Sequence, residues 1–130
     1  MREIKFRGMR TDNNKFVYGF FEDNGYQKII HVKDEPFKRS HYVIGKTVTQ
    51  YTGLDDKYKK NIYSGDIVKG EKYICVIKTI KGGFTAIEIS EYNKQLSKYF
   101  NDLTDNQMWG WCSSCEVIGN IFENPELLTN

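Results

Sequence analysis

The stretch Trp111-Cys112-Ser113-Ser114-Cys115 holds the residue types best suited to chemistry. Two thiols two residues apart serve dithiol–disulfide exchange when the first sits at a helix N-terminus, where the helix dipole lowers its pKa. That use needs a strand before the motif and a helix after it. Here Glu116 to Phe122 reads as strand, so redox chemistry lacks its setting. The pair also supplies half of a tetrahedral zinc site. The other ligands would have to come from Cys75, His31 and His41, and none of these is paired at metal spacing. The plainer reading is two small residues at a turn.

His31 and His41 are the only histidines, and they flank a polar loop. A Ser-His-Asp arrangement has no Gly-x-Ser-x-Gly elbow to anchor it. Glu22-Asp23 and Asp55-Asp56 are neighbours in sequence. Adjacent strand residues point to opposite faces, so these read as solvated turn charges rather than acid–base partners. Neither a Walker loop nor a dinucleotide fingerprint is present. An enzyme reading would need a pocket where His31 or His41 meets a carboxylate or a cysteine. The expectation is a protein with no catalytic residues, no metal site and no cofactor.

Two constellations point to binding instead. Lys57, Tyr58, Lys59 and Lys60 place a ring within a basic run, and Lys5, Arg7 and Arg10 lie on the charged side of the first strand. Basic grooves with stacking rings hold single strands in small β-barrels. The plainer reading is a solvated loop, because the net charge is only +2. In Met108-Trp109-Gly110-Trp111, Trp109 and Trp111 share a face if the segment is a strand. That face would be core or protein interface, where Trp, Tyr and Arg dominate the binding energy.

Strands must position these groups. Ile4 and Phe6 alternate with Glu3, Lys5 and Arg7, the period of a half-buried strand. A turn at Thr11 to Asn14 precedes the aromatic strand Phe16 to Phe21. Asn24-Gly25 is a hairpin signal before a third strand over Gln27 to Val32. Lys33 to Arg39 reads as a loop, with strand resuming at Val43-Ile44 and at Lys46 to Tyr51. Lys72 to Ile80 is apolar on both faces and therefore central. Phe84 to Ile89 follows a Gly82-Gly83 turn. The run Gly-Asp-Ile-Val, strand, Gly-Gly, strand also occurs in small SH3-like barrels. Glu91 to Leu103 spaces Tyr92, Leu96, Tyr99, Phe100 and Leu103 as a helix does, with Ser90 as its cap. A last strand runs over Cys115 to Phe122, and Pro125 to Leu128 makes a short helical turn.

Length and composition set the frame. The 130 residues fit one domain, and 15% aromatic content suits strands and a ring-filled core. Lys+Arg exceed Asp+Glu by 14 to 9 up to Gly70, and fall short by 5 to 8 after it. That asymmetry permits an anionic partner without requiring one. The longest apolar runs are about as short as Tyr73 to Ile77, far below the roughly 18 residues of a membrane helix. The N-terminus lacks the apolar stretch of a signal peptide, and three cysteines do not make a secreted disulfide framework. A cytoplasmic protein is expected.

Four blocks carry a family resemblance. They are Arg2 to Arg7, Phe16-Val17-Tyr18-Gly19, Thr49 to Lys57 running on to Ile62 to Val68, and Glu116 to Leu128. As a set they resemble the YopX family of phage and prophage proteins. The resemblance implies a mostly-β fold of intertwined short antiparallel strands, encoded by a phage or an integrated prophage. It implies no activity, and it supplies no catalytic or binding residue to carry over. Within the blocks, Gly53 and Gly65 are expected at positive φ, and Asp66 is expected to bond its own turn.

The expected protein is thus a single mostly-β domain over residues 1–130, partly barrel-like, with one short helix near residues 91–103. Its expected role is that of a non-enzymatic accessory protein that binds a host or phage protein, or its own copies. A small β-barrel that binds nucleic acid is the alternative.

Overall fold

The computed structural model describes residues 4–32, 39–81, 83–94 and 114–129. They form two compact units, Met1–Tyr51 and Thr52–Asn130. In the first, β1 (Phe6–Met9), β2 (Phe16–Asp23), β3 (Lys28–Val32) and β4 (Arg39–Tyr42) make an antiparallel meander. β5 (Thr49–Asp55) lies along the other side of β1, with Phe6 opposite Gln50 and Arg7 opposite Thr49. The order is β4-β3-β2-β1-β5. Alternation then sorts the side chains. Phe6 and Phe21 meet on one face with ring centroids 5.8 Å apart, and Ile30 is fully buried on the same side. Phe16, Tyr18, Phe20 and Glu22 stand on the other.

Gly19 is fixed by a close approach between backbones. A Cβ there would collide with the carbonyl oxygen of His31 on β3. The Asn24-Gly25 hairpin forms where its residues predict: Asp23 Oδ1 accepts from Gly25 N, and Asn24 Oδ1 accepts from Tyr26 N and Gln27 N. The stretch expected as strand from Val43 differs. A 3-10 turn occupies Gly45–Thr47, and strand resumes at Thr49. Thr47 closes that turn by donating its hydroxyl to Ile44 O at 2.6 Å while accepting from Met9 N at 2.9 Å. Its side chain competes with the ladder for backbone partners.

In the second unit β5 continues beside β6 (Asn61–Tyr63). β7 (Asp66–Lys69), β8 (Ile74–Ile80), β9 (Gly83–Glu88) and β10 (Glu116–Asn120) form an antiparallel sheet of order β10-β7-β8-β9. β8 is central, as its two apolar faces require. Val68, Cys75, Ile77 and Phe84 pack on one side with Ile62, Leu54 and Cys115. Ile67 and Val76 pack on the other with Ile89 and Tyr92 of α1 (Ile89–Lys94), and with Leu127 and Leu128 of the 3-10 turn Pro125–Leu128. Gly65 (φ 91°) makes the β6–β7 turn, and Asp66 Oδ2 accepts from Tyr63 N at 2.8 Å, as expected. Gly53 also has positive φ (85°), but within β5 rather than in a turn.

The fold is mostly β and antiparallel. The barrel-like part of the expectation is corrected: neither sheet closes. The second unit's sheet buries both faces against other layers, so it has no interior of its own to enclose. In the first unit a bridge from Arg10 to Val43 curls the chain after β4 toward β1, but β4 remains an edge strand in the sheet order. The helix starts at Ile89, so Ser90 lies inside it rather than capping it. Residues 95–103 of the expected helix lie outside the described residues. Among the described residues no helix is long and apolar enough to cross a membrane.

Candidate functional site

The first unit's open face is built by register. Tyr18 lies opposite Arg7, Phe20 opposite His31, and His31 opposite Ser40; Glu22 lies opposite Ile29, and Ile29 opposite Tyr42. Cross-strand partners share a face. Tyr18, Phe20 and Tyr42 therefore project from one side, and they remain 47%, 53% and 54% exposed. Phe16 and Tyr18 continue the row with ring centroids 6.4 Å apart.

A polar array crosses the same face. His31 Nδ1 is 2.7 Å from Ser40 Oγ, and His31 Nε2 is 2.9 Å from Glu22 Oε1. This is a meeting of histidine and carboxylate that residue spacing did not reveal, because it depends on the pairing of three strands. Glu22 is thus a cross-strand partner and not merely a solvated turn charge. The array lies on the surface, with the His31 and Glu22 side chains 40% and 52% exposed. His41 points to the opposite side of β4 and lines a shallow dent with Arg10, Thr11, Asp12, Ser40 and Tyr42. Arg10 grips Asp12 through two hydrogen bonds of 2.9 and 2.6 Å, and these bonds hold the Asp12 carboxyl below its ordinary range.

The basic residues of β1 are engaged within the unit rather than arrayed for a ligand. Arg7 is only 4% exposed; its Nε donates to Thr49 Oγ1 at 3.1 Å, and its guanidinium lies 4.7 Å from the Phe16 ring centroid. Lys5 Nζ sits 4.7 Å from the Tyr51 ring centroid. Both are cation–π contacts.

In the second unit Lys57, Tyr58, Lys59 and Lys60 form the tip between β5 and β6, and all four are exposed. The residue beneath them is Asp56, which was expected in solvent and is instead 4% exposed. Its Oδ1 accepts from Tyr58 N at 2.8 Å and from Lys60 N at 2.9 Å; its Oδ2 accepts from Val117 N at 2.9 Å. Burial alone would push this carboxyl up. The three N–H donors and nearby Lys60 outweigh it, so the group lies below its ordinary range. An aspartate opening a turn, with its side chain reaching two and four residues on, is a signal that the sequence does contain.

Cys75 and Cys115 share the apolar cluster of the second unit's sheet. Burial, then Glu88 and Cys115, push the Cys75 thiol up to about 12, which makes it an inert core residue rather than a nucleophile. Strand β10 follows Cys115 directly, so the helix that dithiol chemistry needs after the motif is replaced by a strand. Trp109, Trp111 and Cys112 lie outside the described residues.

The comparisons with known proteins bear on the whole chain. The crystal structure of protein EF1440 from Enterococcus faecalis is similar in fold, with a TM-score of 0.57 and 22% identity, covering 98% of this chain and 99% of that one. No curated protein matches this sequence. The family model described as YopX protein matches residues 5–129, across both units. The resemblance read from the four sequence blocks is therefore a membership, and this chain belongs to the YopX family.

Proposed function

We propose that this protein acts by binding another protein through the open face of its first unit, and not by catalysis. The observation that carries the reading is that Tyr18 and Phe20 of β2 and Tyr42 of β4, two strands away, stand about half exposed on one face of a sheet whose opposite face holds the core. Rings left about half in water forgo part of the roughly 1.5–3 kcal/mol that full burial gives a large apolar side chain. Exposed aromatic rings set beside oriented polar groups serve as interface anchors. YopX membership supports the further reading that the protein is encoded by a phage or prophage and meets a host or phage protein in the bacterial cytoplasm.

The Ser40–His31–Glu22 array fits an interface better than an active site. Water reaches His31 and Glu22 directly, whereas a nucleophile relay works in a site that excludes water and presents fixed donors to the developing charge. The array instead offers a partner a pre-oriented set of polar groups beside Phe20.

The test compares the wild-type protein with a Tyr18→Ala/Phe20→Ala/Tyr42→Ala variant in affinity capture from host lysate, with melting curves as a folding control. A protein retained by the first and lost by the second, at equal thermal stability, is the expected result. Equal capture by both would refute the assignment of this face. Wild-type protein is also expected to remain unlabelled by a fluorophosphonate probe, and labelling at Ser40 would refute the non-catalytic reading.

A further inference from the structure

We infer that the β5–β6 tip is a preformed contact for single-stranded nucleic acid, separate from the face assigned to a protein partner. Four consecutive residues, Lys57, Tyr58, Lys59 and Lys60, are exposed at one turn. Their backbone is fixed throughout. Asp56 N donates to Lys60 O at 2.9 Å, Lys57 N to Cys115 O at 2.9 Å, and Lys59 N to Asp56 O at 3.0 Å. Tyr58 N and Lys60 N both donate to Asp56 Oδ1. Every backbone N–H from Asp56 to Lys60 is thus spent inside the protein, and Asp56 Oδ2 anchors the turn to β10 through Val117 N.

The outcome is a hydrogen-bonded backbone carrying three exposed lysines and one ring. A ligand docking here need not order the loop, so that entropic cost is already met. Lys59 adopts the left-handed conformation at φ 67°, which favours glycine or asparagine. A lysine at that position keeps a third cation at the tip despite the backbone strain, and the surrounding hydrogen bonds hold it there. Asp55 and Asp56 offset part of this charge, Asp56 from beneath the turn with Lys60 nearby and Asp55 while accepting from Asn61 Nδ2 at 2.6 Å, so three lysines against two aspartates leave the tip one positive charge.

The ring selects the partner. Tyr58 is 66% exposed, with Lys57 Nζ 5.1 Å from its centroid. A ring set among cations matches an unpaired base next to its phosphates: the ring stacks on the base and the ammonium groups meet the backbone. Duplex bases are already stacked and offer the ring nothing. Phosphate-only or carboxylate partners would use the lysines and leave Tyr58 idle.

The test is fluorescence anisotropy with a labelled oligothymidylate of about 20 nucleotides, longer than the footprint of a small domain. Binding is expected at low salt and should weaken as salt rises, with a log–log slope near −2 for three lysine contacts on a single strand. Lys57→Ala/Lys59→Ala/Lys60→Ala should abolish it. Tyr58→Ala should weaken it by about tenfold or more, and Phe20→Ala should leave it unchanged. That last variant separates this inference from the proposed protein interface, since each can fail alone. Absence of binding at low salt would overturn the inference, as would binding indifferent to the lysines. Loss with the lysines but not with Tyr58→Ala would also overturn it, by exposing a generic polyanion contact; vesicles of anionic phosphatidylserine or a polyglutamate peptide competing equally well would say the same.

Discussion

The two units solve the same problem, an antiparallel sheet in water, in opposite ways. The second covers both faces of its sheet. Ile67 and Val76 point into one apolar cluster, while Val68, Cys75 and Ile77 point into the other. The first covers one face and leaves rings on the other, and it holds itself together by backbone approach and polar contacts. Gly19 lies against the His31 carbonyl, Arg7 lies on Phe16, and His31 lies between Glu22 and Ser40. The difference teaches where to look for function. A strand buried on both faces has spent its side chains on packing, whereas one buried on a single face keeps side chains in reach of solvent, which is why the proposed contact is placed there.

The largest effect should come from breaking the packed unit. Ile77 is fully buried in the centre of β8. Ile77→Ala removes its transfer free energy and leaves a cavity, costing about 4 kcal/mol. Urea unfolding monitored by circular dichroism should show the midpoint fall with the slope unchanged. A loss below about 1 kcal/mol would mean that the cluster is not the second unit's main source of stability.

Gly19→Ala attacks the first unit at its own weak point. The added methyl meets a ladder carbonyl, which cannot yield as a side-chain tip would. A cost of about 3 kcal/mol is expected, the upper end for overpacking. Hydrogen exchange should locate it: amides of β2 and β3 lose protection while those of β7 and β8 keep theirs. Uniform loss across both units would show that they unfold as one, and the contrast drawn between them would then concern packing alone.

Asp56 tests whether a polar contact can matter as much in the packed unit as in the open one. Asp56→Asn replaces an acceptor facing Val117 N with a donor, at a cost of about 2 kcal/mol. The pH dependence has a definite sign. The folded-state carboxyl lies below its ordinary 3.8, so its contribution is fully present above that value. It is lost as pH falls through the lowered folded value. Melting temperatures between about pH 2 and 6 should drop at the acid end in wild type and less steeply in Asp56→Asn. Parallel curves would remove Asp56 as the acid-sensitive group.

What was legible in the sequence follows the range of the interactions. The centrality of β8, the Asn24-Gly25 hairpin and the Asp66 turn bond are local matters, set by alternation or by side chains within three residues of their partners, and all are found. The Glu22–His31–Ser40 array was not legible, since it joins residues nine apart through strand register. Arg7 read as surface because charge suggested it, but its neighbours Phe16 and Thr49 come from two other strands. The barrel expectation failed for a related reason: short strands with glycine turns fix local geometry, whereas closure depends on what packs against the faces. Asp56 was within reach, because its turn bonds are local, and only its tie to Val117 is distant.

The smallest expected change in stability is the most telling for function. Phe20 is a large ring on a strand, and by residue type alone its removal should cost a core-sized amount. Its exposure predicts otherwise: Phe20→Ala should shift unfolding by no more than about 0.5 kcal/mol, as surface substitutions do. If the open face binds a protein as proposed, the same variant should weaken that capture while leaving folding nearly unchanged. If Phe20→Ala instead unfolds the protein as Ile77→Ala does, the open face is a core by another name and the contrast between the units collapses. If it changes neither folding nor capture, the contrast stands and the partner meets the first unit elsewhere, with β4 as the next strand to alter because it edges the sheet.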